Sequence, residues 1–387
     1  MLTKELAAKL SHAARDRQRI SGFTHNFYRY PARFSPRFAA TAIECFSKPG
    51  DLVLDPYMGG GTTIVEALAK GRRAVGNDLN SLATFITKVK ITPLDLREVN
   101  AVRNWASRVV PDLSYRVPRD ALAAFLDPDK TRNLSLVRGR FIKKVLAEAL
   151  ASIVRLPTRD AQEFSRCALL GVAQWALDGR KTHTSLSEFR QRLSDTVIQM
   201  LASLDELSNA ISDTKNIRSC VLVNENAATI DCLPIFAKKG EKVRLVVTSP
   251  PYPGIHMLYH RWQVDGRRET PAPYWIAGCA DGQGASFYNF GDRQQRDAKT
   301  YFATSLITLQ AIRRVTASGG IFVQMVAFSD PRYQLPRYLN NMEKAGFREL
   351  VSGSVRIWRD VPNRRWHAAL RGQTDSSREV VLVHEAV

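Results

Sequence analysis

The chain has 387 residues, of which 44% are hydrophobic, so it can bury a substantial core in one large or two medium domains. Its 56 Lys and Arg residues outnumber its 37 Asp and Glu residues, and the net charge of +19 favours a polyanionic partner. No apolar run reaches membrane length, the first residues do not form a signal peptide, and the five cysteines are scattered without a C-x-x-C pair. These features argue against a membrane protein, a disulfide-rich secreted protein and a zinc protein, and we expect a cytoplasmic location.

The N-terminal region carries two helix patterns separated by an aromatic segment. Residues 3–19 have apolar residues at helical spacing, which predicts a basic amphipathic helix. Such a helix can serve as a DNA arm or a docking helix, although packing on the domain is its commoner role. Residues 25–36 are rich in aromatic and arginine side chains, so we expect an extended or turning segment. A second helix is predicted over 35–46, because proline is favoured at the first helical position.

A strand, a glycine loop and a helix follow one another over residues 51–70. The strand ends in Asp55, and the loop is Pro56-Tyr57-Met58-Gly59-Gly60-Gly61-Thr62-Thr63. Backbone N–H groups at the start of such a helix can approach a ligand closely. A phosphate-binding loop needs a lysine after the glycines, and a dinucleotide fingerprint needs a glycine where Ile64 stands, so neither fits. An acidic residue before the glycines instead suits a cationic ligand resembling an amino acid, whose ammonium Asp55 could hold.

A second predicted strand, over residues 74–80, contains Asp78 near its end. This aspartate lies about 20 residues after the glycine loop, where nucleoside-binding βαβ units place the residue that binds ribose hydroxyls. A lone aspartate at a strand end is commonly a helix cap, and a helix is predicted over 81–90. Two acidic strand ends beside a glycine loop favour nucleoside binding over a cap.

The alternation of strand and helix stops over residues 93–217. Apolar residues recur there at helical spacing, which predicts an inserted helical subdomain with helices over 96–109, 141–154, 163–177 and 186–211. Its loops and helix starts carry basic residues that can contact phosphates without reading sequence, or can form ordinary charged surface. Contact with phosphates is slightly favoured.

Further strands are predicted after the insertion. They cover 219–223, 243–248, 319–328, 348–358 and 379–385, and a helix over 298–315 precedes the strand that begins at residue 319.

The strand over 243–248 runs into the motif Thr248-Ser249-Pro250-Pro251-Tyr252. Two adjacent prolines end the ladder, so the backbone must leave the sheet in a fixed shape. Ser249 and Tyr252 then stand at the carboxyl end of a parallel strand, where open α/β sheets bind ligands. A hydroxyl, fixed carbonyls and an aromatic ring suit the binding of a flat base through its exocyclic amine. On its own, the motif is equally compatible with a proline-rich turn.

Together, these motifs resemble those of the amino-group DNA methyltransferases, which use S-adenosylmethionine to methylate cytosine N4 or adenine N6. The resemblance rests on residues 55–63, Asp78, Asp231 and residues 248–252. It implies a Rossmann-like α/β fold with a mixed seven-stranded sheet of the S-adenosylmethionine-dependent methyltransferase type and an inserted helical subdomain. Residues 1–92 and 218–387 would form the two halves of the methyltransferase domain, and residues 93–217 the insertion.

The resemblance also implies roles for individual residues in binding S-adenosylmethionine. Asp78 would hold the ribose hydroxyls, Asp231 the adenine amine, and the glycine loop the methionine end near Asp55. The segment Tyr30-Pro31-Ala32-Arg33-Phe34 is similar to the family segment that helps to hold the methionine part. The implied cofactor-binding set is Tyr30, Pro31, Ala32, Arg33, Phe34, Asp55, Pro56, Met58, Gly59, Gly60, Gly61, Thr62, Thr63, Asp78, Leu79, Asn80, Asp231, Cys232 and Thr248.

The catalytic set would be Ser249, Pro250, Pro251 and Tyr252. An exocyclic amine is a poor nucleophile because its lone pair is delocalised into the ring. The Ser249 hydroxyl and the Pro250 carbonyl can each accept a hydrogen bond from the amine, which turns its lone pair toward the methyl donor. Tyr252 would stack on the target base, which must be flipped out of the duplex.

Serine before the two prolines is, in the resembled family, common among cytosine-N4 enzymes, so we expect site-specific methylation of cytosine N4 in double-stranded DNA. A hydroxyl can also serve adenine N6. RNA and protein amino-group methyltransferases share the Pro-Pro-Tyr turn but more often carry Asn before it. A non-catalytic DNA-binding relative would be expected to lose the glycine loop or the acidic strand ends. The resemblance further implies a nucleoid-associated enzyme and, in restriction–modification systems, a cognate restriction endonuclease as partner.

Two basic and aromatic loops are candidates for DNA contact, and each could instead serve packing. One lies in residues 253–297 and the other in residues 359–371; arginine can be bidentate to guanine there. The candidate DNA-binding residues are His256, Tyr259, Arg261, Arg359, Arg364, Arg365 and Trp366. The chain departs from the usual family pattern because its large insertion lies between Asp78 and Asp231.

Overall fold

The fold is given by a computed structural model. It describes residues 1–31, 33–118, 120–135, 140–180, 182–213, 220–253, 261–264, 266, 268–280, 290, 298–353, 356–361 and 378–387. Within these residues, no helix is both long enough and apolar enough to cross a membrane.

The centre of the molecule is a mixed β-sheet. Its strands, in chain order, are β1 Leu52–Asp55, β2 Arg73–Asn77, β3 Cys220–Val223, β4 Val243–Thr248, β7 Thr316–Ala327, β8 Phe347–Glu349, β9 Ile357–Asp360 and β10 Arg378–Ala386. A separate hairpin is formed by β5 Trp262–Val264 and β6 Arg268–Thr270.

The strand order is β3-β2-β1-β4-β7-β10-β8, and β9 pairs with β10 beyond this path. Strands β1 to β4 and β7 run parallel, whereas β10 is antiparallel to its neighbours β7, β8 and β9. The order reverses between β1 and β4, so the carboxyl ends of these two strands flank the switch point where open sheets bind ligands. The predicted α/β class and mixed sheet are confirmed, with β9 as an eighth strand among the described residues.

Helices cover both faces of the sheet and form the insertion. Their bounds are α1 Lys4–Ala14, α2 Pro36–Phe46, α3 Thr62–Ala69, α4 Ser81–Ile91, α5 Leu96–Asn104, α6 Arg140–Ile153, α7 Arg159–Leu177, α8 Leu186–Asp213, α9 Pro234–Ala237, α10 Ala272–Ala277, α11 Lys299–Val315 and α12 Pro331–Lys344. Successive strand residues point to opposite faces, so Leu52 and Leu54 pack with α11 and α12 while Val53 packs with α1, α2 and α3.

Helices α5 to α8 share one apolar cluster with α4, α10 and the aromatic segment before α2. The Trp262 indole donates to the Tyr28 hydroxyl at 3.0 Å, which ties the β5–β6 hairpin to this segment. Helix α7 approaches it closely at Gly171, where a Cβ atom would lie 2.9 Å from the Phe27 carbonyl oxygen. The insertion therefore packs directly on the segment that precedes the glycine loop.

Three local predictions were wrong. The predicted helix over 96–109 ends at Asn104 and continues as a π-helix, Trp105–Val109. The predicted strand over 348–358 is two strands, β8 and β9, with Gly353 in the left-handed region between them (φ 66°). The predicted basic helix over 3–19 ends at Ala14, and its residues Leu10, Ala13 and Ala14 are buried.

Candidate active site

A cavity opens at the carboxyl ends of β1, β2 and β4, with about 1100 Å³ of empty space when its mouth is included. Most of the predicted site residues meet there. Those that line it are Tyr30, Pro31, Arg33, Phe34, Asp55, Pro56, Met58, Gly59, Gly60, Thr62, Asp78, Leu79, Asn80, Ser249 and Pro251. The structure adds Tyr57, Asn77, Asn226, Ala227, Phe290 and Thr304 to this lining.

The glycine loop forms the floor of the cavity. Gly59 and Gly61 have φ angles of 48° and 75°, in the region that favours glycine. A Cβ atom on Gly60 would lie 2.9 Å from the Tyr30 Cβ atom, so only glycine lets the aromatic segment cross the loop this closely. The loop and the segment around Tyr30 thus enclose a narrow space that side chains on the loop would fill.

Asp78, just after β2, presents its carboxylate at the loop. One oxygen accepts the Gly59 N–H and the other accepts the Asn80 N–H, each at 2.8 Å. The surrounding protein raises the pKa of Asp78 to about 6, chiefly by desolvation, although these two hydrogen bonds lower it. An ionised carboxylate so oriented can accept the two hydroxyls of a ribose.

Asp55, the last residue of β1, is buried below the loop. Its Oδ1 atom accepts the Thr248 hydroxyl at 2.6 Å and the Tyr57 N–H at 3.2 Å. Burial raises the pKa of Asp55 to about 7. A positively charged ligand in the cavity would favour the ionised form, which agrees with the predicted interaction of Asp55 with an ammonium.

Asn80 connects three segments of the chain at the cavity. Its side-chain amide donates to the Tyr30 hydroxyl at 3.0 Å, and its side-chain oxygen accepts the Tyr274 hydroxyl at 2.9 Å and caps α4 through the Leu82 N–H at 3.0 Å. Asn80 is itself 2% exposed. The same residue therefore holds the segment before the loop, helix α10 and the start of α4 together at the cavity.

A buried polar cluster that the sequence did not indicate supports the loop from behind. The Lys90 ammonium donates to the Gly60 carbonyl at 2.6 Å, and the His25 Nε2 atom lies 2.7 Å from Glu66 Oε1. Burial, together with the nearby Arg33 guanidinium, lowers the pKa of Lys90 to about 7. Arg33 in turn donates to the His25 carbonyl at 2.7 Å. A lysine near the end of an amphipathic helix is typical of a solvated surface, so sequence alone gave no signal.

Ser249 lies at the other side of the cavity, one residue after β4. Its hydroxyl donates to the Met325 carbonyl at 3.1 Å and is 2.8 Å from the Tyr252 hydroxyl. Tyr252 is 8% exposed and does not line the cavity. The Pro251 carbonyl already accepts the Tyr301 hydroxyl at 2.9 Å, and Pro250 is buried. The rings of Tyr57 and Phe290, whose centroids are 5.7 Å apart, line the same cavity as Ser249.

Two predicted cofactor contacts lie away from the cavity lining. Asp231 sits in a 3-10 turn, Ala227–Cys232, and forms an ion pair with Arg314 at 2.6 Å; Cys232 ends the same turn and is exposed. The turn arises because the Asn226 side chain caps it through the Ala228 N–H at 3.0 Å. This placement does not support a contact of Asp231 or Cys232 with adenine, whereas Asn226 and Ala227, at the start of the same turn, line the cavity.

Three further residues of the predicted set act behind the cavity wall. Gly61 caps α3, where a Cβ atom would lie 2.5 Å from the Thr87 hydroxyl oxygen. Thr63 donates to the Val247 carbonyl at 3.1 Å, and Thr248 donates to Asp55. These contacts connect the glycine loop and its flanking residues to α4 and β4, and the three residues do not line the cavity.

The predicted DNA-binding residues differ in their surroundings, and most of them lie outside the described residues. Arg359 is an interior group: its guanidinium pairs with Glu379 at 2.5 Å and donates to the Ala14 carbonyl at 3.1 Å, and its side chain is 16% exposed. Arg359 also lines a surface pocket with Arg15, Arg17 and Arg378, so its contact with DNA stays a prediction. The Arg261 guanidinium lies 5.9 Å from the Tyr274 ring centroid. The other predicted residues, His256, Tyr259, Arg364, Arg365 and Trp366, and also Ala32 of the aromatic segment, lie outside the described residues.

Comparison with known proteins finds a family model that matches part of the chain. Residues 9–87, which include the glycine loop and Asp78, match the model of an N6/N4-type DNA methylase family. The resemblance to the amino-group DNA methyltransferases is confirmed. The S-adenosylmethionine dependence of these methyltransferases agrees with the predicted cofactor.

Two DNA methyltransferases are similar to part of the chain. The Type II methyltransferase M.MvaI of Kocuria varians is 34% identical over 125 residues, which is 30% of this chain and 26% of that protein. The Type II methyltransferase M.MjaII of Methanocaldococcus jannaschii is 27% identical over 78 residues, which is 20% of this chain and 15% of that protein. The matches thus span about a quarter or less of these relatives.

Solved structures align with the chain at low sequence identity and low TM-score. TrmN from Thermus thermophilus is 10% identical with a TM-score of 0.34, covering 92% of this chain and 49% of that one. The rRNA methyltransferase AviRa from Streptomyces viridochromogenes is 11% identical with a TM-score of 0.34, covering 93% and 90%. TM-scores this low carry no argument about substrate.

The cavity fits S-adenosylmethionine by the chemistry of its walls. Asp78 offers two acceptors for a ribose, Asp55 an acidic group for a methionine ammonium, and the glycine loop a floor without side chains beneath Tyr30. The predicted cofactor residues that line the cavity thus lie around one space.

Proposed function

We propose that this chain transfers a methyl group from S-adenosylmethionine to the exocyclic N4 amine of a cytosine flipped out of double-stranded DNA. The main support is the position of Ser249, which lines the same cavity as Asp78 and the glycine loop. An acceptor for the amine and a site for the methyl donor thus share one space. A non-catalytic DNA-binding relative would have no need of this arrangement.

Different residues hold the three parts of the methyl donor. Asp78 binds the ribose, Asp55 and the glycine loop bind the methionine part, and Asn226 with Ala227 flank the adenine end. When bound, S-adenosylmethionine supplies an electrophilic methyl group on a cationic sulfur. The protein contributes position and electrostatics, which convert the encounter of two reactants into a reaction within one complex.

Ser249 prepares the amine. Because its hydroxyl donates to the Met325 carbonyl, its oxygen lone pairs remain directed elsewhere and can accept an amine N–H. The Pro250 carbonyl is the second acceptor in this proposal. With both N–H bonds engaged, the nitrogen approaches tetrahedral geometry and its lone pair leaves conjugation with the ring.

The choice of cytosine N4 rests on serine at residue 249, by resemblance to the cytosine-N4 members of the family. DNA as the substrate is supported by the matched family model, by the two Type II relatives and by the net charge of +19. The target base stacks on an aromatic ring beside Ser249, either Tyr252 as predicted or the Tyr57 and Phe290 rings that line the cavity.

The test is methylation of genomic DNA from a methylation-free host, using labelled S-adenosylmethionine and mass spectrometry of the digested nucleosides. We expect N4-methylcytosine, and a fall in rate of about 10²–10³-fold in Ser249→Ala. Ser212→Ala is the matched control, because Ser212 is an exposed serine on α8 whose hydroxyl donates to the local backbone carbonyl of Ser208.

Different outcomes contradict different parts of the proposal. Label in N6-methyladenine would overturn the choice of base, and label in RNA or protein with none in DNA would overturn the substrate. Binding of S-adenosylmethionine by calorimetry without transfer to any acceptor would overturn the enzymatic activity itself.

A further inference from the structure

A continuous line of hydrogen bonds leads from Ser249 into the sheet. The Ser249 hydroxyl is 2.8 Å from the Tyr252 hydroxyl, and Tyr252 donates to Glu379 Oε1 at 3.1 Å. The second Glu379 oxygen accepts the Arg359 Nε–H at 2.6 Å. Tyr252 and Glu379 are 8% and 3% exposed, so this line is shielded from bulk water.

The reversed direction of β10 explains how a residue so late in the chain reaches this place. Glu379 is the second residue of β10 and is paired with Ala327, the last residue of β7. Because β10 is antiparallel to β7, its first residues lie beside the carboxyl end of β7, where the Met325 carbonyl accepts Ser249. The catalytic turn and the start of β10 therefore occupy one edge of the sheet.

We infer that Glu379 is a positioning residue for the proposed methyl transfer, and that through Tyr252 it receives the proton that the amine must lose. This inference rests on the proposed function. Tyr252 thereby has a role that its buried ring and its hydrogen bonds support directly.

The step balances as follows. The amine nitrogen forms its bond to the methyl carbon, and the electron pair of the broken sulfur–methyl bond stays on sulfur, which becomes neutral. The nitrogen, as it becomes cationic, passes a proton to the Ser249 oxygen. The Ser249 hydroxyl turns from the Met325 carbonyl and donates its own proton to Tyr252, and the Tyr252 proton moves to Glu379. The positive charge that entered on sulfur and the negative charge of the Glu379 carboxylate are both neutralised.

The proton leaves while the nitrogen–carbon bond forms, so its removal lowers the barrier to methyl transfer; losing it also restores the conjugation of the nitrogen lone pair with the ring. Ser249 alone is too weak a base to keep this proton, whereas a carboxylate at the end of the line can. Ser249 and Tyr252 can exchange donor and acceptor roles, since either oxygen can donate across their 2.8 Å contact. When the product has left, water in the vacated cavity can take the proton back along the same line.

Arg359 holds the acceptor in place. Its Nε–H and one terminal nitrogen contact Glu379 Oε2, and Tyr252 donates to the other oxygen, Oε1. Its Nη1 atom is anchored on the Ala14 carbonyl at the end of α1. The basic residue predicted to face DNA thus orients the last member of the proton path.

The experiment compares single-turnover methylation by the wild type, Glu379→Gln, Tyr252→Phe and the double variant. Each single variant is expected to slow transfer about a hundredfold, with the KM values for S-adenosylmethionine and DNA little changed. The double variant should be no slower than either, because each change interrupts the same path. Glu379→Asp, which keeps a carboxylate, should retain more of the rate than Glu379→Gln.

Glu385→Gln is the matched control, since Glu385 lies on the same strand and also pairs with an arginine, Arg348, at 2.6 Å. A second readout separates proton transfer from structure: the rate of Glu379→Gln should increase with the concentration of buffer base, whereas the wild-type rate should not. A structural role alone would not create this dependence.

Two results would overturn the inference while leaving the proposed function intact. One is a wild-type rate in Glu379→Gln. The other is a slow Glu379→Gln that ignores buffer base and whose loss adds to that of Tyr252→Phe. If the wild-type protein itself transfers no methyl group to DNA, it is the proposed function that has failed.

Discussion

The carboxylate of Asp78 gives the sharpest test of the cofactor site. Each of its oxygens accepts one backbone N–H, from Gly59 and from Asn80, at 2.8 Å. Asparagine has the same shape but offers one oxygen and one NH2 group, so in Asp78→Asn one of these N–H donors would face another donor. The variant also loses the charge that would bind a ribose hydroxyl.

The expected magnitude follows from the bond that is lost. A hydrogen bond to a charged group contributes about 1.5–3 kcal/mol, so the affinity for S-adenosylmethionine should fall about 10–150-fold in Asp78→Asn. Isothermal titration calorimetry near neutral pH measures this directly. Asp205→Asn, an exposed change on α8, serves as the control.

The pKa of Asp78 adds a pH dependence to the same measurement. Because burial raises this pKa to about 6, the carboxyl is ionised at neutral pH and becomes protonated as the pH falls through 6. Wild-type affinity should therefore decrease from about pH 7.5 to about pH 5, and Asp78→Asn should show a smaller decrease. A change of less than about threefold in Asp78→Asn near neutral pH would refute the assignment of Asp78 to the ribose.

Three further outcomes are expected. Gly60→Ala should lower the free energy of unfolding by about 1–3 kcal/mol in urea denaturation, because its Cβ atom would lie 2.9 Å from the Tyr30 Cβ atom; unchanged stability would mean that Tyr30 moves aside freely. Thr248→Val should raise the pKa of Asp55 further above its value of about 7, measured by NMR titration of the carboxyl carbon, because the Thr248 hydroxyl stabilises the charged form. The pKa of Lys90 is lowered to about 7 in the folded state, so the unfolded state binds more protons above pH 7. The free energy of unfolding of the wild type should therefore rise from about pH 7 to about pH 10, and this rise should be smaller in Lys90→Met. An equal rise in the variant would assign the effect to another group.

The sequence predicted those features whose signal is local. The glycine loop, Asp55 and Asp78 are recognisable because a short strand, a loop and a helix must follow one another to present backbone N–H groups. The proline pair after Ser249 likewise fixes the end of β4, since proline cannot continue the ladder. Residues of these motifs form most of the cavity wall.

What the sequence missed depends on contacts between distant segments. Lys90 and Arg359 look like surface charges along the chain, yet one supports the glycine loop and the other pairs with Glu379. Asp231 resembled an adenine contact, but the cap supplied by Asn226 forms a turn in which Asp231 pairs with Arg314. Only tertiary packing determines which of these charges face solvent.

The antiparallel direction of β10 has a consequence for the order in which the site is assembled. During synthesis the glycine loop, Asp78 and Ser249 emerge well before Glu379, and β10 must then insert between β7 and β8. A nascent chain can therefore shape the cofactor cavity early, but it acquires the Tyr252–Glu379 contact only when β10 joins the sheet. The fold delays completion of the catalytic edge until β10 has been made.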